Sequence, residues 1–156
     1  MEPIIGYYPI TARALGTTMR NAYTAGQAAR YSGVPYKTLD FWARTEFIVP
    51  SVLESTGKGT ARIYSFRDLI ALRTALKLRQ AGISLQALRM VVARLEELDG
   101  LESPLAETYL ASDGFDVFIK HGDEIRSVLR RPGQVAFTWV LDLSGIVQEV
   151  VARTAA

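Results

Sequence analysis

Between Thr24 and Leu98 the apolar residues recur at helical spacing in four runs, whereas beyond Gly100 they fall into short stretches broken by Gly, Pro and Asp. The first run, AGQAARYS, offers Ala28, Ala29 and Tyr31 as a small, closely packing face. Thr24 is placed to cap it, because a hydroxyl there can accept an otherwise unpaired amide of the first turn. Gly33 is placed to end it in the left-handed conformation that a side chain disfavours. Pro35 suits the first position of a second helix, where a missing amide costs no intrahelical bond. That helix is predicted from Pro35 to about Arg44, with Leu39 and Trp42 on one face.

FIVPSVLE and ARIYS then read as extended segments on either side of STGKGT, whose two glycines suit a tight hairpin tip. Ser65 caps a third helix, in which Phe66, Leu69, Leu72 and Leu76 keep helical spacing until Gly82 stops it. Ser84 opens a fourth, with Leu85, Leu88, Val92 and Leu95 at near-heptad steps and Arg89 and Arg94 outside that stripe. The stripe suits either the core of this unit or a surface shared with a second copy.

DGLESPLAE interrupts the pattern with Gly100 and Pro104. Beyond it, ETYLAS and FDVFIK flank the turn dipeptide Asp113–Gly114, GDEIRSVLR is predicted as a short helix, RRPGQ as a turn, VAFTWVLDL as a strand and SGIVQEVVARTA as a closing helix opened by Ser144. Residues 1–22, with Pro3, Gly6, Pro9 and Gly16 and no sustained period, read as an arm. The expected architecture is mainly α with a small α+β C-terminal module. Its divisions are an arm over 1–22, a helical unit over 23–98, a linker over 99–106, and a strand-strand-helix-strand-helix unit over 107–156.

With 49% hydrophobic and 22% charged residues among its 156, the chain lies far from the disordered class. It has no cysteine, which excludes disulfides, thiolate metal sites and a Cys nucleophile. The apolar runs are too short to span a bilayer and MEPIIGYYPI lacks a basic signal-peptide start, so a cytoplasmic protein without membrane contact is expected. The net charge of +2 is unevenly spread: residues 23–98 carry 11 Lys and Arg against 6 Asp and Glu, residues 99–156 carry 5 against 9. A basic unit that meets a polyanion, joined to an acidic unit with another task, fits this split.

The stretch YTAGQAARYSGVPYKTLDFWARTEFIVP, together with RIYSFRDLIALRTALKLRQAGISLQALRMVV, resembles the winged helix-turn-helix module of the MerR family of transcriptional regulators. The matching features are the aromatic-Thr opening, the Ala-Ala first helix, GVP at the turn, and TL followed by two aromatics. A proline after the second helix, the Arg-x-Tyr-Ser exit from the wing and the Gly-Ile-Ser-Leu link between two helices complete the match. The resemblance covers about half the chain. It implies that the start of the second helix enters the major groove, while the wing and first helix hold phosphates.

On that basis the DNA-binding candidates are Thr24, Arg30, Tyr36, Lys37, Thr38, Phe41, Arg44, Lys58, Arg62 and Tyr64. Lys37 can donate to guanine, and the Thr38 methyl can meet a thymine methyl or its hydroxyl can bond back to the helix. Lys58, between Gly57 and Gly59, and Arg62, which matches the wing-exit Arg, are the phosphate candidates of the wing. Trp42 reads as core. The family pattern has Arg where this chain has Asp40, so a backbone donor is exchanged for a charge that repels phosphate. Family members usually dimerise through a long further helix, and here the break at Gly100 to Pro104 falls where that helix would run.

The tail offers little chemistry. His121, the only histidine, stands near Asp113, Asp116, Asp123 and Glu124, but the spacing matches no ligand motif and acidic loops at helix starts are favoured by the dipole alone. No metal, cofactor or enzymatic activity is expected. The expected function is that of a sequence-specific regulator binding double-stranded DNA at a palindromic operator as a homodimer. The alternative is an antitoxin that autoregulates through the winged module and neutralises a toxin partner through the tail.

Overall fold

The computed structural model describes residues 22–54, 61–99, 103–107, 110–112, 117–121, 124–127, 139–140 and 143–155, with the side chains of 22–54, 61–97, 103, 105, 106, 117 and 145–155. These residues are mainly helical, as expected. A first strand β1 (Tyr23–Thr24) leads into α1 (Ala25–Ser32) and α2 (Tyr36–Arg44), and β2 (Ile63–Tyr64) leads into α3 (Phe66–Gln80) and α4 (Leu85–Asp99). All but the last residue of the expected arm, and the wing tip, including Lys58, lie outside the described residues.

Local chemistry explains each boundary. The Thr24 hydroxyl accepts the Gln27 amide at 3.2 Å and Gln27 Oε1 accepts the Thr24 amide at 3.0 Å, so both ends of a capping box are made. Gly33 closes α1 with φ of 80°. The buried Ser32 hydroxyl donates to the Ala28 carbonyl at 2.6 Å and accepts the Val34 amide at 3.2 Å, so the turn into α2 leaves neither group unpaired. The left-handed φ is only one reason for glycine at 33: a Cβ there would lie 2.6 Å from Arg73 Nη1.

Helices α2 and α3 end in the same motif. Gly82 takes φ of 101° after α3, its amide meets the Arg79 carbonyl at 3.0 Å, and the Ile83 amide meets the Leu78 carbonyl at 3.1 Å. After α2 the left-handed residue is Glu46, with φ of 58°, and the corresponding bonds run from Glu46 to Ala43 at 3.2 Å and from Phe47 to Trp42 at 2.9 Å. The apolar contact that accompanies this motif is present in both places. Ile83 and Leu78 are buried together, and Phe47 meets Trp42 edge to face with ring centres 5.3 Å apart. Arg89 of α4 completes the end of α2, donating to the Thr45 carbonyl at 2.9 Å and hydroxyl at 2.6 Å, where a cation complements the helix dipole.

Ser65 and Asp68 form a second capping box at the start of α3. Asp68 does more than cap. Its Oδ2 accepts the Ser65 amide, the Ser51 amide and the Ser51 hydroxyl, each at 2.8 Å, which ties the descending side of the wing to α3. Ile63 joins the two sides of the wing: its amide and carbonyl both bond Leu53, while on its other edge β2 pairs antiparallel with β1.

The core runs through Leu39, Trp42, Leu69, Leu72 and Leu78 to Leu88, Val91 and Leu95. In α4 the fully buried stripe is Leu88, Val91 and Leu95, with Leu85 and Val92 at its margins, so most of this face serves the unit's own core.

At the end of the expected linker, and one residue past it, residues Pro104–Glu107 form α5, and Leu105 and Ala106 are buried against α3 and α4. The tail then forms an antiparallel sheet in the order β5-β4-β3-β6, made of β3 (Leu110–Ser112), β4 (Val117–His121), β5 (Glu124–Ser127) and β6 (Trp139–Val140). The helix expected in GDEIRSVLR is therefore a strand over Glu124–Ser127. His121 pairs directly with Glu124, leaving Gly122 and Asp123 between them, a dipeptide suited to a two-residue hairpin, and pairing with β4 outweighs the weak helical pattern. Finally α6 (Leu143–Ala155) closes over α1 and α3, burying Ile146, Val147 and Val150 in the same core as the preceding helices.

Candidate nucleic-acid interface

At 3.6 residues per turn, Tyr36, Lys37, Asp40, Phe41 and Arg44 share one side of α2, and Leu39, Trp42 and Ala43 share the other. The burial follows that division. Leu39, Trp42 and Ala43 are buried, whereas Tyr36 and Phe41 remain 56% and 45% exposed, large values for aromatic residues. Lys37 and Arg44 are exposed as well, and Thr38 lies at the margin. The helix thus presents two aromatic rings and two cations outward from a fixed apolar base.

Asp40 sits in the middle of this face and is not an isolated anion. Its Oδ2 accepts from Arg44 Nε at 2.8 Å, and its Oδ1 accepts from Nη1 of Arg62, which comes from the exit of the wing. These two hydrogen bonds, Arg62 first, hold the Asp40 carboxyl below the usual carboxylate range and keep it charged. Asp40 in turn raises the Arg62 guanidinium. Arg62 is largely covered, with its side chain 17% exposed, while that of Arg44 is 61% exposed. The repulsion expected of Asp40 is therefore offset within the protein. The i, i+4 spacing of Asp40 and Arg44 was visible in the sequence; the reach from Arg62, across 22 residues, was not.

Other candidates are spread more widely. Thr24 caps α1, and Arg30 is exposed on α1 with its guanidinium 6.0 Å from the Tyr31 ring centre. Tyr64 departs from the expected role: it is fully buried and its hydroxyl has no hydrogen-bond partner among the described residues, so it belongs to the core beneath the wing and not to an outward face. Burial pushes its phenol up to about 12. Residues that sequence reasoning passed over are Gln27, which completes the cap of α1, Ser51 and Asp68, which tie the wing to α3, and Arg89, which ties α4 to the end of α2. Of these, Gln27 and Asp68 stand three residues after a cap, the spacing that announces a capping box.

Among the described residues no group of three or more His, Cys, Asp or Glu could hold a metal ion, and no helix is long and apolar enough to cross a membrane. His121 lies in β4 opposite Glu124, while Asp113, Asp116 and Asp123 fall outside the described residues.

The sequence has relatives that bear on this surface. Residues 23–95 match the family described as MerR HTH family regulatory protein. Proteins described as uncharacterized HTH-type transcriptional regulators, from Mycobacterium bovis and from Mycobacterium tuberculosis, are each 35% identical over 128 residues, which is 82% of this chain and 55% of theirs. The chain thus spans about half the length of the curated relatives it matches. The matched segment holds β1, both helices of the turn, the wing, α3 and the first 11 of the 15 residues of α4. Residues 23–95 thus carry a helix-turn-helix module similar to that of the MerR family of regulatory proteins.

Proposed function

We propose that this chain is a sequence-specific DNA-binding transcriptional regulator of MerR type that recognises a palindromic operator as a homodimer. The observation that carries the reading is the outward face of α2, where Tyr36, Lys37, Phe41 and Arg44 stand beside the wing-exit Arg62 on a module of this family. The leading turn, Tyr36, Lys37 and Thr38, reads base edges in the major groove, where all four base pairs present distinct donors, acceptors and methyl groups. Arg30, Arg44, Arg62 and Lys58 hold the phosphate backbone, which sets affinity and register without reading sequence. A second copy follows from specificity, because one short reading helix covers few base pairs and two half-sites multiply discrimination.

Selection of bound duplexes from a random pool, combined with the mass of the complex, tests this directly. Enrichment of a site with two symmetry-related halves and a mass of two chains per duplex is the expected result; no enrichment over the starting pool refutes it. On the selected site, Lys37→Ala should lose about 1 to 3 kcal/mol of discrimination at one base position while changing affinity for random duplex much less. Equal losses on both duplexes would remove Lys37 from base reading.

A further inference from the structure

The outward face of α2 places a carboxylate between two guanidiniums at the surface proposed to meet a polyanion. Asp40 is only half-buried, so it caps nothing in the core. Its two oxygens are divided between Arg44 of the same helix and Arg62 of the wing exit. Together the three side chains carry one net positive charge, in place of the two that Arg44 and Arg62 would offer alone. Among the described residues each guanidinium bonds Asp40 through one of the N–H groups of its fork and makes no other hydrogen bond.

We propose that Asp40 is a specificity-determining positioning residue, which restrains Arg44 and Arg62 so that they reward a correctly placed phosphate and attract a misplaced one weakly. The inference rests on the DNA-binding reading above. Its physical basis is the competition between two anions for the same donors. A phosphate arriving in an arbitrary orientation meets a trio of low net charge and must displace the carboxylate to gain a full two-point contact. A phosphate in the register set by base contacts finds the remaining N–H groups already aimed and need not displace anything. Affinity for random DNA falls more than affinity for the chosen site, which is how an added repulsive element sharpens selectivity. The geometry also links reading helix to wing, since Arg62 enters from β2 while Asp40 belongs to α2.

The test compares wild type, Asp40→Asn and Asp40→Glu in binding to a random-sequence duplex and to a duplex selected from a random pool, across a salt series. Asp40→Asn keeps the shape of the side chain and removes its charge. One more effective positive charge should steepen the salt dependence on random duplex by about 0.9 of a log unit per log unit of salt. Between 50 and 200 mM salt this widens the variant's loss of affinity by about 3.5-fold. Asp40→Asn should also lower the ratio of selected to random binding, and Asp40→Glu, which restores the charge, should return both quantities towards wild type. An unchanged slope and ratio in Asp40→Asn overturns the proposal. So does a uniform loss of affinity at every salt concentration with the ratio preserved, accompanied by a lower melting temperature, because that is the signature of a merely structural residue. If wild type binds neither duplex with salt dependence, the DNA-binding reading itself fails; if wild type binds and only the variants are silent, the failure is confined to Asp40.

Discussion

Glu46 takes the left-handed conformation at the end of α2 that Gly82 takes at the end of α3, within the same pair of carbonyl bonds and the same apolar contact. A side chain disfavours that conformation by about 1 to 2 kcal/mol, partly offset by the freedom a glycine loses on folding. Glu46→Gly should therefore raise stability by about 0.5 to 1 kcal/mol, read as a higher urea midpoint at unchanged slope. A lower midpoint would mean that the Glu46 side chain holds a contact of its own. The comparison also shows what a sequence can disclose at this scale. Gly33 and Gly82 announce helix ends because glycine is the usual residue at left-handed positions, whereas Glu46 carries no such mark and its turn is imposed by Phe47 closing on Trp42. Tyr64 is hidden from the sequence for a related reason: the Arg-x-Tyr-Ser motif gives its position in the chain, but only the sheet pairing of Tyr64 with Tyr23 decides that it faces inward.

Among the elements, the wing is tied to α3 through one buried side chain. Asp68 receives three donors from Ser51 and Ser65 at 2.8 Å and is buried. Asp68→Ala leaves those donors without a charged acceptor and should cost about 2 to 3 kcal/mol in chemical denaturation. A loss below about 0.5 kcal/mol would show that water replaces the carboxylate freely. Serine followed three residues later by an acid was legible as a helix start. The tie to Ser51 was not, because it spans 17 residues and depends on how the hairpin folds back. The four helices of the matched unit followed from periodicity and caps. The strand at Glu124–Ser127 did not, because a run of only four residues fits either period and its pairing with β4 decides between them.

At the scale of the whole molecule, α6 joins the last part of the chain to the helix-turn-helix. Ile146, Val147 and Val150 enter the common core, and Glu149 bonds Lys77 and Arg73 of α3 at 2.9 to 3.0 Å. Burial by itself would raise the Glu149 carboxyl; the hydrogen bonds from Lys77 and Arg73 outweigh it and hold the carboxyl below its usual value of 4.5. A folded-state value lower than the unfolded one gives stability that is complete above the unfolded value and is lost as the pH falls through the folded one. Urea midpoints measured from about pH 6 down to about pH 3 should therefore fall less in Glu149→Gln than in wild type. At neutral pH the variant should be weaker by no more than about 1 kcal/mol, since Glu149 is partly exposed and water screens the pair. Parallel pH profiles for the two proteins would exclude Glu149 as the titrating group.

Arg73 stands where these contacts converge. Its guanidinium bonds Glu149, reaches the Ser32 carbonyl at 3.3 Å and fills the space above the α-carbon of Gly33. The bend that sets α2 against α1 and the helix that ends the described chain thus share one side chain. A change at Arg73 would therefore be felt in two places at once, in the turn that precedes the reading helix and in the hold on α6.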